Sequence, residues 1–253
     1  MKKFLQEQKR RNKNLYYFGL LNFIAAIICI GLTLVDHRQI LGINAWMKPM
    51  KFFFSIWIMS WTMGWLLYYL QYRRAVVVYS WVLIISMIIE TGIISIQSAR
   101  GLRSHFNVST SLDAALFAVM GAVISLFTIW TIYICYLFFR QKEFSIPVVF
   151  LWGIRIGMII FILSALEGGL MVHYLRHTIG GPDGSRGLPI VNWSRIYGDL
   201  RVAHFFGLHA LQIIPLLSYF VVSSKKELFL FSIIYTLMVA AFLMMALRAV
   251  PLV

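Results

Sequence analysis

The stretch AVVVYSWVLIISMIIETGIISIQ, residues 75–97, carries a single charge, Glu90, and no proline. About 20 apolar residues are needed to cross bilayer hydrocarbon as a helix, and this run has the length and character to do it. A membrane strand would be about half as long and would alternate apolar with polar residues, which this run does not. A backbone facing lipid must satisfy its own hydrogen bonds, so the run predicts a helix. Working outward, six more runs have the same character: Leu15–Val35, Phe52–Gln71, Ala114–Phe139, Pro147–Val172, Val202–Val222 and Leu228–Ala249. The expected fold is all-α: a polytopic integral membrane protein, a seven-transmembrane-helix bundle forming one membrane domain over residues 1–253. Residues 1–14 form a basic N-terminal segment, and 173–201 is the longest loop.

The composition agrees. Hydrophobic side chains make up 60% of the chain and charged ones 13%, against roughly 25% charged in soluble proteins. Disorder and a disulfide-stapled secreted fold are excluded. Cys29 and Cys135 both sit inside apolar runs, away from any CxxC pair. The net charge of +14 would suggest nucleic acid in a soluble domain. Here the lysines and arginines cluster between apolar runs, so they bear on orientation and the expected partner is the lipid bilayer, not nucleic acid. With the N-terminus inside, inner segments hold twelve basic residues and outer segments ten, and six of the inner ones precede the first span. That predicts N-in, C-out, and the short, isoleucine- and lysine-rich chain reads as one of a bacterial inner (plasma) membrane. MKKFLQEQKRRNKN looks like the basic start of a signal peptide. The apolar stretch behind it is too long for one, so the expectation is an uncleaved first span. Gly153 and Gly157 have GxxxG spacing, which predicts a close helix–helix contact.

On this topology the inner links are short and basic. The outer segments are long: DHRQILGINAWMKPMK (36–51), SARGLRSHFNVSTSLD (98–113) and HYLRHTIGGPDGSRGLPIVNWSRIYGDLR (173–201). Trp46 and Trp193 fit interfacial anchors. All six histidines, His37, His105, His173, His177, His204 and His209, fall on this side. Ionisable groups at membrane depth are costly and mark a functional interior. Glu90, Glu167 and His209 lie on three different helices at a common depth, roughly 8–11 Å below the outer boundary at 1.5 Å per residue. Ser86, Glu90 and Gln97 share one face, and His209 and Gln212 are neighbours at i, i+3. Pro215 frees the Leu211 carbonyl. His204 and His209, five residues apart, point about 140° from one another. Glu167 adjoins Gly168 and Gly169, a weak spot in its helix, while Arg155 is expected to be structural.

Motifs exclude more than they assign. The chain has no GxSxG, HExxH, GxGxxG or P-loop, and the last span has neither a lysine for a retinal Schiff base nor a histidine pair for zinc. Three functions remain open. The first is a redox role with haem b or a divalent metal. His173 and His204 would face one another and His177 would add a ligand, with Arg100, Arg103 and Arg201 near enough to hold propionates or another anion. The alternative is a membrane enzyme acting on an anionic small molecule or lipid head group at the outer leaflet. Its proton-transfer candidates are Glu90, Glu167, His209 and Asp199, the last within one turn of Arg201 and His204. The third is a proton-coupled transporter in which Glu90, Glu167 and His209 form a relay.

Overall fold

The computed structural model describes residues 2–253. The chain is all-α: α1 (Lys2–Arg11), α2 (Lys13–Val35), α3 (Met47–Leu66), α4 (Arg73–Ala99), α5 (Ser111–Arg140), α6 (Val148–Tyr174), α7 (Leu200–Phe220) and α8 (Lys225–Leu247). Two antiparallel two-residue ladders decorate the loops: β1 (Gln39–Ile40) with β2 (Ile43–Asn44), and β3 (Thr178–Ile179) with β4 (Gly198–Asp199). Helices α2 and α4–α8, six in all, are long and apolar enough to cross a membrane. The chain divides into two compact units, Met1–Leu137 and Phe138–Val253.

The run Phe52–Gln71 becomes α3, which starts five residues earlier than its apolar residues do and ends at Leu66. Proline in a first helical turn gives up no hydrogen bond, so Pro49 lets the helix begin at Met47 and takes Lys48 and Lys51 into it. With both lysines included, α3 is not among the six helices long and apolar enough to cross a membrane. The chain then tightens into a 3-10 turn, Leu67–Tyr69, before α4 begins.

α1 was not expected from the sequence. Asn12 separates it from α2 and caps the latter, its side-chain oxygen accepting from Leu15 N at 3.1 Å. In the first unit α2 and α3 pack through an aromatic seam. The Tyr16 and Trp61 rings stack with centroids 5.7 Å apart, and Trp61 Nε1 donates to Tyr16 O at 3.1 Å. Gly19 leaves room for the Trp61 ring.

In the second unit α6 lies directly on α7. A Cβ at Gly153 would strike the Ser218 hydroxyl, and one at Gly207 the Ser164 hydroxyl. At Gly157 it would come 2.8 Å from the Ala210 carbonyl oxygen and 3.1 Å from Pro215 Cδ. Small residues allow this approach where the hydrophobic effect gives helices no reason to associate. Tyr235 of α8 donates its hydroxyl to Phe206 O at 2.6 Å, tying a third helix to the pair. Arg155 closes the exposed end of α5. Its Nε and Nη2 donate to Phe138 O at 3.1 and 2.8 Å, with Phe139 and Trp152 packed against the guanidinium. Carbonyls of a last helical turn lack partners within their own helix, and Arg155 supplies one.

Candidate functional site

Glu167 on α6 and His204 on α7 meet, Oε2 to Nδ1, at 3.1 Å. The contact depends on Gly168, where an added Cβ would sit 3.1 Å from His204 Cε1. The Glu167 side chain is 9% exposed and that of His204 28%. The second carboxylate oxygen, Glu167 Oε1, is buried with no hydrogen-bond partner. One proton can occupy this pair in two ways. Either His204 Nδ1–H donates to an ionised carboxylate, or a protonated Glu167 donates to Nδ1.

His209, one turn further along α7, is half-buried. Its ring lies 4.3 Å from that of Phe205, and its Nδ1 is 3.3 Å from Gln212 Oε1. The sequence pairs Glu167 with His209 by depth, whereas the structure pairs it with His204.

The loop between α6 and α7 is held by two acids. Leu175 takes a left-handed conformation and ends α6 after Tyr174. His173 and His177 therefore do not share a helical face: His173 is exposed beside the Tyr174 ring, and His177 lies in the loop. Gly180 and Gly184 adopt positive φ and turn the chain so that Asp183 comes back onto its start. Asp183 Oδ2 sits 2.6 Å from His177 Nδ1. Its Oδ1 accepts from His177 N and Thr178 N, each at 3.0 Å, and from the Thr178 hydroxyl at 2.9 Å. Burial pushes the Asp183 carboxyl up, but the His177 ring and Thr178 outweigh it and hold the acid well below the usual carboxylate range.

A carboxyl depressed in this way contributes stability in full above its unfolded value of about 3.9 and loses it as pH falls through the lower folded value. Hydrogen exchange at His177 N and Thr178 N should therefore show protection that is constant from neutral pH to about pH 5 and that declines in stronger acid. Asp183→Asn should remove most of that protection at every pH. Equal protection in the variant would show that Asp183 does not hold the loop.

At the other end of the loop Asp199 caps α7, accepting from Arg201 N at 3.1 Å and Ser194 N at 2.8 Å. It is also ion-paired with Arg201 at 2.5 Å, and Arg201 Nη2 donates to Asn192 O. The acid–guanidinium pair expected to serve chemistry beside His204 thus ties down a loop. Arg100, in the first unit, is 2.8 Å from Asp113 Oδ1 and 2.6 Å from Gln97 Oε1. Arg103 is exposed.

The first unit has its own buried acid. Glu90 is 5% exposed, and Lys48 is the cation whose charge acts on it. Lys48 Nζ lies 3.2 Å from His105 Nδ1, and that imidazole rests among Phe52, Phe106 and Phe117. An ammonium can only donate, so His105 accepts there through an unprotonated Nδ1. Ser86 and Gln97, expected on the face of Glu90, are buried with it.

His204 and His177 thus each pair with a carboxylate of their own. Among the described residues, no three His, Cys, Asp or Glu side chains are grouped to hold a metal ion. The Lys48–His105 contact escaped the sequence reading; the basic first turn of α3 and the histidine-bearing loop after α4 were the signals for it. No family profile, curated protein or solved structure matches this chain.

Proposed function

We propose that this chain is a proton-coupled membrane protein with seven spans, N-terminus inside and C-terminus outside, in which the Glu167–His204 pair is the proton-carrying element. α3 serves as the seventh span, its 20 residues giving a rod of about 30 Å. One observation carries the reading. A carboxylate and an imidazole on adjacent apolar helices share a contact that accepts a proton on either side, while the second carboxylate oxygen is buried without a donor. An unsatisfied buried acceptor costs about 1–3 kcal/mol, so a donor arriving at this oxygen would be stabilised. An incoming proton or hydrated proton would satisfy it. The dispersal of His173, His177 and His204 among separate surroundings favours proton handling over a shared haem or metal.

The test uses the full-length chain in proteoliposomes with a trapped pH dye, together with infrared titration of its carboxyl groups. Wild type should take up protons under an imposed gradient and show a titrating carboxyl band. Glu167→Gln should abolish that band and lower the flux at least tenfold, and His204→Gln should lower the flux and shift the band. A flux and band unchanged by Glu167→Gln would overturn the assignment.

A further inference from the structure

We infer that the face of the first unit made by α1 and the start of α4 binds anionic phospholipid headgroups. This is independent of the Glu167–His204 pair. α1 is amphipathic in a particular way. Phe4, Gln8 and Arg11, at i, i+4 and i+7, form one stripe that docks on the end of α3. The Phe4 and Trp65 rings stack at 5.6 Å, Gln8 Nε2 donates to Trp61 O at 2.5 Å, and the Arg11 guanidinium lies 3.7 Å above the Trp65 ring. The other face carries Lys2, Lys3, Lys9 and Arg10, all exposed, and Lys13 is exposed just beyond it.

Two contacts bring the start of α4 to the same end of the unit. Asn12 Nδ2 donates to Ser80 Oγ at 2.9 Å, and Arg10 Nη1 donates to the Tyr68 hydroxyl at 3.0 Å. Arg73 and Arg74, both exposed, thereby join the face. The acid of α1, Glu7, is taken by Arg10 and Arg11 at 2.7 and 2.8 Å, so it faces the exposed lysines already compensated.

The height of this face relative to the bilayer follows from its aromatic residues. Tyr16, Tyr17, Trp61, Trp65, Tyr68 and Tyr69 cluster where α1 meets α2 and the end of α3, and tyrosine and tryptophan concentrate at the headgroup level of membranes. With one residue between α1 and a membrane-length helix, the exposed cations cannot leave that level. A headgroup phosphodiester meets them there as their natural counter-charge, each basic residue near a membrane surface being worth about 1 kcal/mol, or roughly a fivefold gain in affinity.

The experiment titrates the purified full-length chain in detergent with dioctanoyl-phosphatidylglycerol and, separately, dioctanoyl-phosphatidylcholine, by calorimetry at low and high salt. The anionic lipid should bind at least tenfold more tightly at low salt, with the preference shrinking as salt screens it. Replacing Lys2, Lys3, Lys9 and Lys13 together by glutamine should erase the preference, and replacing the same four by arginine should keep it. Equal affinities for the two lipids, a preference insensitive to salt, or one surviving the glutamine variant would each overturn the assignment. The salt series in wild type decides the matter even if the glutamine variant fails to fold.

Discussion

Gly157→Leu is expected to destabilise the second unit by about 3 kcal/mol or more, enough to abolish a monodisperse preparation. Overpacking a tight contact commonly costs 1–3 kcal/mol when side chains can adjust. Here the first atom added meets the Ala210 carbonyl oxygen at 2.8 Å, and backbone does not rotate away. The helices would have to separate, and the Gly153–Ser218 and Gly207–Ser164 contacts on either side would open with them. Gly169 on the same helix is the control, since a Cβ there meets nothing within 4 Å. Gly169→Leu should melt within about 0.5 kcal/mol of wild type, as exposed substitutions usually do. Thermal melts of the two variants in one detergent make the comparison. Similar losses in both would show that the cost does not come from the α6–α7 contact at Gly157, since helix propensity favours leucine over glycine at either position.

His204→Ala should cost more than the removal of a half-exposed ring would suggest, because it strands Glu167. That carboxylate already has one oxygen without a partner, and the variant would orphan the other. Removing one member of a buried pair is typically worth 3–5 kcal/mol. The 28% exposure of His204 admits water and places the expectation below that range, at about 2–3 kcal/mol. Glu167→Gln/His204→Ala leaves no stranded charge and should recover much of the loss, giving a coupling of about 1–3 kcal/mol in a double-mutant cycle. Additive effects in chemical denaturation would show that the two side chains do not interact.

The helical architecture was legible in the sequence because hydrocarbon imposes one rule on every segment that crosses it. Helices α2 and α4–α8 begin and end within three residues of the apolar runs that announced them. α3 departs because its start is set by Pro49 rather than by hydropathy. α1 was hidden for a related reason: its stripe of Phe4, Gln8 and Arg11 is not apolar in any ordinary sense, and reads as a helix face only once Trp61 and Trp65 lie beneath it.

The candidate site was legible in its residues but not in its pairings. Counting residues from a membrane boundary gives height along a helix, and height grouped Glu167 with His209. Contact also requires the right direction around the axis, which the sequence gives only relative to residues of the same helix. His204 and His209 were correctly set apart on α7, but nothing in the chain said which of them faced α6. Gly168, whose missing side chain admits the imidazole, identifies the face in retrospect. The loop acids were obscured differently. Asp199 looked like chemistry because it stood near basic groups, yet it spends its oxygens on the Ser194 and Arg201 amides and the Arg201 guanidinium, as Asp183 spends its own on His177 and Thr178.

Those two acids divide the connection between α6 and α7 in a way its length conceals. Asp183 closes the first part of it onto His177 and Thr178, and Asp199 closes the last onto Ser194 and Arg201. Between them, residues 187–194 fold back on themselves, with Leu188 N donating to Trp193 O at 2.8 Å and Gly187 bridged to Ser194. What joins the two helices is therefore a short double clasp with a small hairpin hung from it. Closure entropy rises only slowly with length, so the hairpin at Pro189 and Ile190 is where evolution is free to lengthen, shorten or rewrite the chain while the helices below keep their register.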